Sequence, residues 1–141
     1  MATGLERALD KPLTKSEILN KIFKENNLTT EDIFKHQHYT IITRSGIEKI
    51  QAKNKIKVSY KLEKCETNFC VVKATAISEF STIETYGSAL KGVGHKDGST
   101  NTWYVAEMAE KRAFSRAILK ITGMYEHGVF GIDESDDFKQ S

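Results

Sequence analysis

The run KIKVSYKLEKCETNFCVVKATAISEFSTIETYGSA, from Lys55 to Ala89, decides the fold. At its start Ile56, Val58, Tyr60 and Leu62 alternate with Lys55, Lys57, Ser59 and Lys61. A period of two is that of a strand with one apolar and one basic face. Cys65 to Asn68 reads as a hairpin turn, and Phe69 to Phe80 as a long strand, apolar on both faces near its start. Ser81 to Tyr86 continues, after a bend, as a third strand. Three such segments joined by short turns predict an antiparallel meander.

Downstream, Gly87 to Asn101 (GSALKGVGHKDGSTN) holds four glycines and reads as a flexible loop. Thr102 to Thr122 then predicts the longest helix, with Ala106, Ala109, Ala113 and Ala117 on one side and Gly123 at its end. Upstream, Ile47 and Ile50 suggest a short helix over 44–53, and Tyr39 to Ile42 a short strand. Thr14 followed by Glu17 fits a capping box that opens a helix over 15–26, with Ile18, Ile22 and Phe23 on one face. A further helical turn is expected after Thr29 or Thr30. The fold class is therefore α+β: an antiparallel meander of three to four strands packed on one long C-terminal helix, with helices before it. A flexible arm (1–13), one domain (14–125) and an acidic tail (126–141) are expected.

Length and composition agree with one domain, at 141 residues, 39% hydrophobic and 28% charged. No apolar run reaches the ~18 residues of a membrane span, and the start lacks the apolar core of a secretory signal. A cytoplasmic protein is expected, and Cys65 and Cys70 read as ordinary thiols. The net charge of +2 is uneven: 0 over residues 1–43, +6 over 44–120 and −4 over 121–141. A basic middle suits a polyanion binder.

Along the long helix Arg112, Arg116 and Lys120 recur every fourth residue, which stacks them in one stripe. Like charges at that spacing cost a few tenths of a kcal/mol per pair, so something must compensate. A phosphate backbone would; so would acidic neighbours such as Glu79 or Glu84. The basic face of the first strand adds Lys55, Lys57 and Lys61. Arg44 precedes it, Lys73 sits in the second strand, and Lys91 and Lys96 lie in the glycine-rich loop. Among the aromatics Tyr60, Tyr86, Trp103 and Tyr104, Tyr104 is the first choice for stacking a base, because it stands where loop meets helix.

Several chemistries lack their motifs. The GVG of the loop is followed by neither GK[ST] nor GxGxxG, and HExxH, a nucleophile elbow and paired CxxC are missing. His36 and His38 read as surface residues. Asp133, Glu134, Asp136 and Asp137 lack the spacing of an EF-hand loop. No enzyme activity, cofactor or metal is expected.

Residues 40–138 resemble the single-strand annealing proteins of phages and mobile elements, the ERF- and Sak-type proteins and the Rad-type annealing superfamily. The likeness rests on the β-β-β-α order, the TYGSA segment (85–89) and the helix AEMAEKRAFSRAILKITG (106–123). Within that helix Ala109-Glu110-Lys111-Arg112-Ala113 and Arg116-Ala117 match an alanine-rich ERF-type pattern; the helix at 15–26 has no counterpart. The resemblance implies single-stranded DNA binding and annealing in recombination. It implies a groove lined by Arg112, Arg116 and Lys120, and self-assembly into a ring or filament. It also implies partners such as a single-strand binding protein or exonuclease. A plain single-strand binding module, a metal-dependent nuclease subunit and a protein that binds an acidic partner are the alternatives.

Overall fold

A computed structural model describes residues 14–36, 39–92 and 103–133. The arm 1–13, the loop around Lys96, His38 and the acids from Glu134 onward lie outside the described residues. The elements are α1 (Lys15–Glu25), β1 (Ile33–His36), β2 (Tyr39–Ile42), α2 (Arg44–Lys53), β3 (Lys57–Cys65), β4 (Phe69–Ile77), β5 (Thr82–Leu90), α3 (Val105–Ile121), a short 3-10 turn (Met124–His127) and β6 (Val129–Gly131). They form an α+β fold with two three-stranded sheets, β1-β2-β6 and β3-β4-β5. The second is the antiparallel meander, and it packs on α3.

Local chemistry sets the helix ends. The Thr14 hydroxyl accepts from the Glu17 amide at 3.2 Å, and the Thr43 hydroxyl from the Gly46 amide at 3.2 Å. Each satisfies one amide that its helix leaves without a partner. At the other ends Asn26 donates to the Ile22 carbonyl and Asn54 to the Ile50 carbonyl, both at 2.8 Å. Asn54 also donates to the Asn26 side chain at 2.7 Å, which ties the C-termini of α1 and α2 together.

In the meander Cys70, Val72, Ala74 and Ala76 of β4 are buried, with Thr85, Gly87 and Ala89 of β5 beside them. Against this face lie Ala109, Ala113 and Ala117 of α3, all fully buried. The approach is close enough that a Cβ on Gly87 would run into the Ala109 carbonyl and the Ala113 amide. The Thr85 hydroxyl donates to the Ala113 carbonyl at 2.8 Å. The other side of α3 meets α2 and β6, so Ile42, Ile47, Ile50, Ile118, Leu119, Met124 and Val129 complete the core.

Four expectations need correction. No helix follows Thr30: the Asp32 carboxylate accepts from the Thr29 amide at 2.9 Å and from the Lys49 ammonium at 2.7 Å, closing a turn that delivers Ile33 into β1. β5 runs on through Gly87 to Leu90, residues expected to be loop, because α3 needs Gly87 beneath it. The acidic tail does not begin at 126. Gly123 and Gly128 take left-handed φ values of 79° and 75°, turning the chain so that β6 pairs in parallel with β2. Last, the apolar face of β3 is only partly packed. Ile56 is buried and Val58 half-buried, whereas Tyr60 and Leu62 stay 42% and 59% exposed, since α3 crosses β4 and β5 rather than β3.

Candidate nucleic-acid interface

The three helical cations expected to form one stripe have separate fates. Arg112 is 5% exposed; its Nη1 donates to the Ser88 carbonyl at 2.8 Å and its Nε to the Asp133 carbonyl at 3.3 Å. Arg116 donates through Nη1 to the Tyr86 carbonyl at 2.9 Å. Both accepting carbonyls lie on the side of β5 turned away from β4, the outer edge of the meander. What compensates the like-charge spacing is therefore a row of strand-edge carbonyls, which would otherwise offer a template for another strand. Lys120, on the last turn of α3, is exposed. The groove role that the resemblance implies for Arg112 is thus corrected: its guanidinium is interior and committed to backbone.

Arg44 is half-exposed and leans over α3. Its guanidinium lies 4.4 Å above the Phe114 ring and 3.7 Å from the Asp133 carboxylate, which also accepts from the Ser115 hydroxyl at 2.9 Å. Arg44 and Ser115 hold the chain just beyond β6 against α3, while the Arg44 side chain stays 39% exposed and also lies 3.9 Å from Glu48.

The face of the meander turned away from α3 carries the remaining cations. Register places Lys61, Lys73 and Tyr86 in one row across the three strands. The row below is Ser59, Thr75 and Glu84, then Lys57, Ile77 and Thr82; the row above is Lys64, Val71 and Ser88. Lys57, Lys61 and Lys64 are exposed, and Tyr86 is 53% exposed. Lys73 is held between Glu84 at 3.0 Å and Glu63 at 3.9 Å. The hydrogen bond with Glu84 holds its ammonium above the ordinary lysine range, with Glu63 adding to the effect. Sequence reasoning named Lys57, Lys61 and Lys73 but missed Lys64, and left Tyr86 as one aromatic among four. The signal was the register: each turn dictates which residues stand opposite.

At the lower end this face runs into a groove of about 1000 Å³ where the C-termini of all three helices meet the β4–β5 turn. Lys53, Lys55 and Lys57 line it with Phe80, which is 90% exposed; Glu25 and Glu79 oppose them. Lys55 makes the turn from α2 into β3 with a φ of 53°. The sequence places Phe80 at the end of a strand, whereas β4 stops at Ile77 and Phe80 stands on the turn after it. At the upper end Lys91 lies 4.8 Å from the Trp103 ring, and Trp103 and Tyr104 are 63% and 68% exposed beside the start of α3.

Among the described residues no three His, Cys, Asp or Glu side chains converge to hold a metal ion. No helix of the described residues is long and apolar enough to cross a membrane. No protein-family profile, curated protein or solved structure matches the chain.

Proposed function

We propose that the chain binds single-stranded DNA along the open face of the meander and promotes annealing of complementary strands, without making or breaking covalent bonds. The observation that carries this reading is that exposed Lys57, Lys61 and Lys64 share one face of the meander with the half-exposed Tyr86, while Lys73 between them is tied to Glu84 and Glu63. Phosphates can be met by the exposed ammonium groups while a base stacks on the phenol ring. Cationic grooves with aromatic platforms hold single strands in this sequence-tolerant way.

Among the described residues no element packs on this face, so a bound strand would keep one side toward solvent. That side can sample a complement. The groove at the lower end, with Lys55 and Phe80, extends the track, and Trp103 and Tyr104 offer further rings beside the start of α3. The likeness of α3 to the annealing-protein helix supports annealing as the purpose of the binding, and self-assembly as the way to lengthen the track.

The reading is tested by mixing complementary oligonucleotides, one carrying a fluorophore and the other a quencher, with and without the protein. Faster quenching than the spontaneous rate is expected, together with a loss of acceleration in Lys61→Glu. Binding without acceleration would leave a plain single-strand binder; absence of binding would overturn the proposal.

A further inference from the structure

The chain has two cysteines, Cys65 and Cys70, and the meander sets them directly opposite each other across the β3–β4 hairpin. The Glu66 amide donates to the Phe69 carbonyl at 2.7 Å, so residues 66 and 69 are the hydrogen-bonded pair that closes the turn. The next pair along the ladder, Cys65 with Cys70, is then of the non-hydrogen-bonded kind. Such pairs bring Cα atoms to about 4.5 Å and side chains closest together, which is inside the ~4.4–6.8 Å span of disulfides. Both side chains point to the face turned toward α3. Cys65 is exposed and Cys70 fully buried.

A register shift between Leu62 and Lys64 separates this pair from the rest of the β3–β4 ladder. The outer end of β3 is therefore an exposed edge segment beyond an irregularity. We propose that Cys65 and Cys70 form a reversible cross-strand disulfide that clamps this end of the hairpin, with Cys65 meeting the oxidant and Cys70 resolving it. Burial, the contact with Cys65 and the nearby Glu107 push the Cys70 thiol up to about 11, which suits a thiol that waits for its neighbour rather than reacting first.

With a hydroperoxide as oxidant the atoms balance. The Cys65 thiolate attacks the terminal peroxide oxygen, the O–O bond breaks, and an alcohol (or water) leaves with one proton. Cys65 is then a sulfenic acid. The Cys70 sulfur attacks the Cys65 sulfur, the S–O bond breaks, and its hydroxyl leaves as water with the Cys70 proton. The two thiols have lost two electrons and the peroxide has gained them. A dithiol reverses the reaction by exchange.

The test uses the full-length reduced protein and one equivalent of hydrogen peroxide, read by intact mass and by iodoacetamide labelling. The expected product is a monomer lighter by the two thiol hydrogens, with neither cysteine alkylated and both recovered after dithiothreitol. Its amides at 63–66 exchange more slowly than in the reduced form. Cys70→Ser should leave a sulfenic acid on Cys65 that dimedone traps, and Cys65→Ser should leave Cys70 reduced at the same dose. Two alkylated thiols after treatment, a dimedone adduct on the wild-type protein, or a disulfide between two chains would each overturn the assignment.

Discussion

Arg112 and Arg116 stand one helical turn apart, a spacing that an isolated helix resists through like-charge repulsion. In this fold each reaches a carbonyl on the outer edge of β5, Ser88 for Arg112 and Tyr86 for Arg116. Truncating Arg112 strands two acceptors in a nearly buried place. Arg112→Ala is therefore expected to lower stability by about 1–3 kcal/mol, seen as an earlier urea midpoint with unchanged slope, and an unaltered midpoint would contradict the edge role. Asp32 gives a pH signature. The Lys49 hydrogen bond, helped by the Thr29 amide, holds its carboxyl below the ordinary carboxylate value, with burial acting the other way. A depressed carboxylate stabilises the fold at pH values above its unfolded-state value, and that contribution fades as pH falls through the lower folded value. Asp32→Asn should therefore be less stable than wild type near pH 7, and urea midpoints should converge toward pH 2. A gap that stayed constant would show that the ion pair with Lys49 carries none of it. Neither role could be read from the chain. The spacing of Arg112 and Arg116 was visible, but a guanidinium serves a carbonyl and a phosphate with the same donors, and only the register of β5 distinguishes them.

At the level of elements, the contact between α3 and β5 depends on what is small. Gly87 sits where the helix backbone crosses, between alanines that let the two surfaces close. Gly87→Ala should cost about 1–3 kcal/mol as an overpacked contact, measurable by thermal or urea unfolding; a neutral result would show that α3 can lift off the sheet. The two edges of the meander are guarded differently. That of β5 is covered by arginines, while β3 carries Lys57, Lys61 and Lys64 and a register shift, devices that discourage pairing with a further strand. The meander, the short helix at 44–53 and the long helix were legible from periodicity and caps, because each pattern is local. The parallel pairing of β6 with β2 was not, since three residues carry little periodic signal and their partner lies about ninety positions earlier. The acidic segment after it also masks, in composition, the apolar residues Val129 and Phe130.

At the scale of the whole fold, the described residues form three layers with α3 in the middle and one face of the meander uncovered. Lys57, Lys61 and Lys64 stand exposed there, beside Tyr86. Tyr86→Ala should weaken single-strand binding by the ~1–3 kcal/mol that one stacked base contributes, without disturbing folding, because the ring is half in solvent. The positive character of the middle of the chain was plain in its composition. Which side of the fold presents it was not, because that depends on whether α3 turns its arginines outward or folds them over β5. The most direct measurement is a fluorescence-anisotropy titration of a labelled single-stranded oligonucleotide over a range of salt concentrations. It compares wild type with Lys57→Ala/Lys61→Ala/Lys64→Ala, with circular dichroism confirming the fold. The variant is expected to bind at least tenfold more weakly, with a log–log salt slope shallower by about 2, the counterions of three phosphates. Equal affinity and equal slope in a folded variant would contradict it.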